Sequence, residues 1–241
     1  MIADNTDEKR GEAAFEAALD TVDERLGDGD FQGARAALAR AAGLASSDHP
    51  EVLFADACIA WDEHGPEQAA ELLARVVAAD PSHADAHHAL ARCAEERDDK
   101  KRAIEHFLRV HKLDARSDRE ARVGTRRELD HIDAVAREVL NALPSPFAER
   151  LEHVPVVLER RPSRALVEEG FDPRSLGLFE GATDGDTGTP TPTRIVLFVN
   201  NLLAEFPEDP ELSEEIEITL LHEIGHFFNL DEDDMERLGL D

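Results

Sequence analysis

Apolar positions in the first half of the chain recur at helical spacing, and one stretch repeats another. "GPEQAAELLARVVAADPSHADAHHALARCAEE", from Gly65, aligns with "KKRAIEHFLRVHKLDARSD", from Lys100. Ala69 then falls on Ala103, Leu73 on Phe107 and Val76 on Val110, an offset of 34 residues. An earlier unit fits more loosely: Ala34, Leu38 and Ala41 precede Ala69, Leu73 and Val76 by about 35 residues. Small residues let two helices approach, and the larger ones a turn later fill the space between pairs. Asp80-Pro81 ends one helix and opens the next unit. The pattern predicts stacked helix pairs, each burying the apolar face of its neighbour.

These matching positions resemble tetratricopeptide repeats, with about three units. The resemblance implies a concave groove for a peptide or protein partner. Residues 1–10 are expected to be disordered, residues 11–119 to form the repeats, and residues 120–241 to form a second domain.

The pattern then lengthens and changes. Residues 117–142 read as one helix, with Ser117 or Asp118 as N-cap and a stripe of Leu129, Ile132, Val135, Val139 and Leu140. Pro144 and Pro146 stop it. "VPVVLE", Val154 to Glu159, alternates and is β-branched, so it reads as a strand. "RIVLFV", Arg194 to Val199, reads as a buried strand, and "LGLFEG" as a short edge strand. Between them, "GATDGDTGTPTPT" reads as a flexible loop, with Asp184 and Asp186 as solvated carboxylates. "EDPELSEEIEITLLHEIGHFF" reads as a helix with Asp209 as N-cap, Pro210 at its first position and Asn229 at its end.

That last helix carries the chemistry. His222, Glu223 and His226 form HExxH, and residues four apart lie on one helix face. Two imidazoles can thus reach one ion with a carboxylate beside it, the arrangement that zinc-assisted hydrolysis needs. A third protein ligand is required. Only 15 residues follow His226 in the 241-residue sequence, so the site is expected to close locally through a tight turn. In "HEIGHFFNLDE" the turn position holds Asn229, which tolerates a positive φ, and the third-ligand position holds Glu232. Asp231 and Asp233 are adjacent alternatives. The remaining acids of "DEDD" read as a solvated turn, and Met235 as a core contact.

Residues from about 128 to 241 resemble the bacterial family of minimal zincin-like metallopeptidases. The resemblance rests on "VPVVLERRP", "LGLFEG", "RIVLF" and "TLLHEIGHFFNLDEDDMERLGL". It implies a small sheet packed on the active helix, a Zn2+ ion on His222, His226 and Glu232, and Glu223 as general base. Asn229 departs from the glycine usual at the turn, and Glu232 stands where aspartate is common. The fold class expected is therefore a helical repeat array followed by an α+β metallopeptidase domain.

Composition narrows the partners. The chain carries 54 acidic and 26 basic residues, a formal net charge of -28. Such a field argues against nucleic acid or anionic membrane as a partner. No apolar run reaches the length of a membrane span, and "MIADNTDEKRGEAAF" lacks the apolar core of a signal peptide. Cys58 and Cys93 lie in apolar helices and read as core thiols, so a cytoplasmic protein is expected. His83, His87 and His88 read as repeat-surface residues. The sequence contains no tyrosine, which leaves Arg194 or a backbone N–H of the edge strand to stabilise an oxyanion. Two functions follow. One is a zinc metallopeptidase whose substrate adds a strand near Gly177 to Gly181. The other is a tetratricopeptide adaptor with a structural or silent zinc site.

Overall fold

The computed structural model describes residues 4–183 and 193–230. The chain divides into two compact units, Met1–Leu113 and Asp114–Asp241.

The first unit is helical. It comprises α1 (Asp4–Gly27), α2 (Phe31–Leu44), α3 (Pro50–His64), α4 (Pro66–Ala79), α5 (Ala84–Glu95) and the first part of α6 (Lys100–Ala121). α1 begins inside the stretch expected to lack structure. Local signals set the helix starts. Asp30 accepts from the Gly33 N–H at 2.9 Å, and Pro50 and Pro66 open α3 and α4. Gly65, at φ 87°, turns the chain between α3 and α4 in a single residue. The repeated positions are the core: Ala69, Leu73, Val76, Ala103, Phe107 and Val110 are each at most 3% exposed. The looser unit obeys the same rule, with Ala34 and Ala41 fully buried.

Two of the three histidines expected on the repeat surface, His83 and His87, are not there, whereas His88 is half-buried. His83 and His87 are buried. His83 caps α5, its Nδ1 accepting from the Ala86 N–H at 3.2 Å. His87 Nδ1 meets His106 Nδ1 at 2.9 Å across α5 and α6. Polar side chains that satisfy a helix end or one another are admitted to an interior. Both cysteines are free thiols. Burial pushes the Cys58 thiol up to about 12 and the Cys93 thiol up to about 11, so neither is a ready nucleophile.

The second unit holds the end of α6, then α7 (Arg126–Ala142), α8 (Ser145–Leu151), β1 (Val156–Glu159), α9 (Arg164–Glu168), β2 (Gly177–Glu180), β3 (Arg194–Phe198), α10 (Val199–Glu205) and α11 (Asp209–Phe227). The single helix expected over residues 117–142 is instead broken. Arg122 and Gly124 take φ of 59° and 77°, and Thr125 starts α7 with a capping box to Glu128. Among the described residues, three strands lie in the order β1-β3-β2, with β1 parallel and β2 antiparallel to the central β3. β3 is buried on both faces, which accounts for its unbroken apolar run.

α11 packs Leu212, Ile216, Leu220, Ile224 and Phe227 into a core shared with Ile195 and Leu197 of β3 and Ile132, Ala136 and Val139 of α7. Each large apolar side chain so buried contributes about 1.5–3 kcal/mol. The spacing of four, four, four and three leaves the opposite face of α11 for polar residues.

A polar network lies beside this core. Arg161 grips Asp118 through two hydrogen bonds, at 2.6 and 2.8 Å, and also donates to Asn201 and to Asp114. Arg174 grips Asp114 in the same way, at 2.9 and 3.1 Å. Asn201 donates to the carbonyls of Pro173 and Ser175 at 2.9 and 2.6 Å. Burial works to raise the Asp118 carboxyl. Hydrogen bonds from Arg161 and Asn200 outweigh it and hold the carboxyl below its ordinary range. The network moors the segment leading into β2.

Candidate metal centre

His222, Glu223 and His226 all lie in the last part of α11. The two Nε2 atoms face each other at 3.1 Å, with the rings nearly perpendicular at 87°. Two nitrogens bound to one tetrahedral ion, each at about 2.0–2.1 Å, stand about 3.3 Å apart. The pair therefore fits a shared cation. It also sits near the helix C-terminus, whose carbonyls favour positive charge.

Glu223 is buried, at 8% exposed, under the edge strand β2. The close approach depends on Gly177. A Cβ there would lie 2.8 Å from Thr219 Cγ2 and 2.9 Å from both Glu223 Cγ and Oε1. Any larger residue would push the strand or the carboxylate aside.

Strand and helix enclose a cleft of about 730 Å³. One wall is Gly177, Leu178 and Phe179; the other carries His222, Glu223 and His226. Antiparallel pairing alternates the direction of backbone groups. The Phe198 N–H donates to the Leu176 carbonyl at 2.8 Å, so the N–H and C=O groups of Gly177 and Phe179 point away from β3. Further along the cleft stand Thr219 and Glu215, Thr219 Oγ1 donating to Glu215 at 3.4 Å. Burial, with nearby Glu205 and Glu214, pushes the Glu215 carboxyl up. Sequence reasoning missed Gly177 as a packing residue, and Thr219 and Glu215 as cleft residues. The helix period held a signal for the latter two: positions 215, 219, 222 and 226 share one face.

The turn after α11 has the positive φ that asparagine tolerates. Asn229 has φ 57°. The Asn229 N–H donates to the His226 carbonyl at 3.0 Å, and the Leu230 N–H to the Gly225 carbonyl at 3.1 Å. Those two bonds form a Schellman motif, which ends the helix.

Glu232, Asp231, Asp233 and Met235 lie outside the described residues, as do Asp184 and Asp186. Among the described residues, no three His, Cys, Asp or Glu side chains form a metal cluster. Arg194 does not serve the cleft. It is held by Glu180 at 2.5 Å and Glu159 at 3.0 Å, across all three strands. The cation there pairs with two carboxylates on neighbouring strands, which engages its Nε and Nη1 within the sheet.

Residues 151–240 match the family model described as Zincin-like metallopeptidase, and residues 54–118 match that described as Tetratricopeptide repeat. None of the curated proteins compared with the chain matches it. Among solved structures, the chain is similar to a mutant of the Thermobaculum terrenum O-GlcNAc transferase, at 20% identity and a TM-score of 0.38. That alignment covers 62% of this chain and 32% of the other. Among the described residues, no helix is long and apolar enough to cross a membrane.

Proposed function

The chain joins a tetratricopeptide repeat segment to a zincin-like metallopeptidase segment, and on that premise we propose that it is a zinc-dependent peptidase. The carrying observation is the facing pair of His222 and His226 Nε2 atoms at 3.1 Å, beside buried Glu223 and under an edge strand. His222, His226 and Glu232 would hold the ion. Bound there, zinc supplies a Lewis acid that acidifies water and polarises a carbonyl. Glu223 accepts the proton of the attacking water on its carboxylate and returns it to the departing amide nitrogen. Gly177 and Phe179 pair with an extended peptide through their outward backbone groups, so the substrate lies as a fourth strand along β2. The repeat segment recruits a protein substrate or partner. We place this work in the cytoplasm, where two unpaired thiols persist.

The engagement of Arg194 by two glutamates favours a second reading, an adaptor with a silent zinc site, because it removes one candidate for oxyanion stabilisation. One comparison separates the two. Zinc-loaded wild type and Glu223→Gln are presented with a peptide library. Cleavage by the wild type that falls by about 10²–10⁴-fold in the variant, with zinc content equal, supports the peptidase. Equal zinc with no cleavage by either supports the adaptor.

A further inference from the structure

Among the described residues that line the cleft of about 730 Å³ there is no lysine or arginine, and the carboxylates are Glu215 and Glu223. Glu223 has a task beside the two histidines. Glu215 has none. Elsewhere a carboxylate on a helix meets an arginine one turn away: Glu120 meets Arg116, Asp130 Arg126, Asp133 Arg137 and Glu168 Arg164. α11 contains no lysine or arginine, and the positions one turn to either side of Glu215 hold Glu211 and Thr219. Among the described residues, Glu215 takes part in no ion pair. Burial pushes its carboxyl up, and the charged groups that act on it, Glu205 and Glu214, push the same way. Thr219 Oγ1 donates to Glu215 Oε1 at 3.4 Å, which leaves Oε2 open to a further donor. A half-buried carboxylate among like charges is stabilised by a cation brought from outside.

The cleft places Glu215 along the path of a bound peptide. β2 runs in the same direction as α11, since Gly177 lies against Thr219 and Glu223 and the Phe179 ring stands 6.0 Å from that of Phe227. The end of the cleft toward Glu215 is therefore the end where the chain enters β2. Phe171 and Leu176 of that entering segment, and Ile218 of α11, line the cleft and offer apolar surface to the stem of a long side chain. His222 stands seven positions after Glu215, a rise of about 10.5 Å along the helix. An extended peptide covers that distance in about three residues. The net charge of -28 draws cationic peptides toward the molecule.

Building on the peptidase reading of the cleft, we infer that Glu215 selects peptides with a basic side chain, its carboxylate pairing with a lysine or arginine about three residues from the bond that is cut.

The test is isothermal titration calorimetry of the full chain carrying Glu223→Gln, which holds peptides without cutting them, with zinc present and in about 0.15 M salt. The probes are N-acetylated octapeptide amides of alanine and threonine, with one lysine moved through every position, and a matching set with norleucine. At the best position, lysine is expected to bind at least about tenfold tighter than norleucine. Adding Glu215→Gln should abolish that preference, and adding Glu217→Gln should keep it. Glu217 is exposed on the same helix and does not line the cleft, so its loss removes the same charge and reads the field of the chain alone. No saturable binding of a lysine peptide, no preference over norleucine, a preference that survives Glu215→Gln, or one lost equally with Glu217→Gln would each overturn the assignment. Cleavage of the same peptides by the wild type bears separately on the peptidase reading. Cutting without a lysine preference leaves that reading standing, whereas the expected binding pattern without cutting counts against it and keeps the pairing at Glu215.

Discussion

At the scale of single residues, two positions control the candidate centre without touching an ion. Gly177 matters for what it lacks, because a methyl group there collides with Thr219 and Glu223. Gly177→Ala should leave zinc content unchanged and lower peptide cleavage by about 100-fold, the cost of a general base displaced by about an ångström. Metal analysis beside a cleavage assay checks this, and zinc loss in parallel with activity would argue instead for a collapsed site. Asn229 matters for its backbone. At φ 57° an alanine is strained by about 1–2 kcal/mol, whereas glycine is not. Urea unfolding should show Asn229→Ala destabilised by about that amount and Asn229→Gly no less stable than wild type.

At the scale of elements, the paired histidines of α5 and α6 carry a pH dependence. Two neutral imidazoles can share one proton between Nδ1 atoms 2.9 Å apart, but a second proton places two donors face to face. Burial lowers the basicity of both rings; Arg109 and His83 lower His87 further, and His87 lowers His106. The unfolded chain, with histidines near 6.5, therefore binds protons that the folded chain does not. Stability contributed by the pair is present above about pH 6.5 and is lost as the solution is acidified below it. Thermal melts across that range should show the fall, and His106→Gln should flatten it. A wild-type slope of zero there would refute the coupling. The same elements show what the sequence made legible. The repeat core, the central strand and the HExxH helix could be read because their spacing repeats or their apolar runs are unbroken. The break before α7 leaves no gap in the apolar stripe, and its only local mark is the Thr125 to Glu128 capping box. The short helices α8, α9 and α10 have five to seven residues each, too few to establish a period. The role of Gly177 depends on a strand meeting a helix more than 40 residues away, and no local pattern carries that.

At the scale of the molecule, the two units differ in how their contacts are distributed along the chain. Neighbouring helices of the first unit pack on one another in order, so each finds its partner soon after it is made. The sheet has the opposite arrangement, with the last of the described strands at its centre. A fragment ending before Arg194 should retain helical circular dichroism from the repeats and lose the cooperative melt of the second unit, and a fragment with both transitions intact would contradict this. Protein synthesis runs from the N-terminus, so β1 and β2 emerge with no partner and wait for β3. Each is only four residues long, which limits their capacity to recruit another nascent chain. Once Phe198 is made the ladder can close, and the histidine-bearing helix follows from Asp209. The histidine-bearing cleft is thus assembled only after the whole repeat segment has been synthesised.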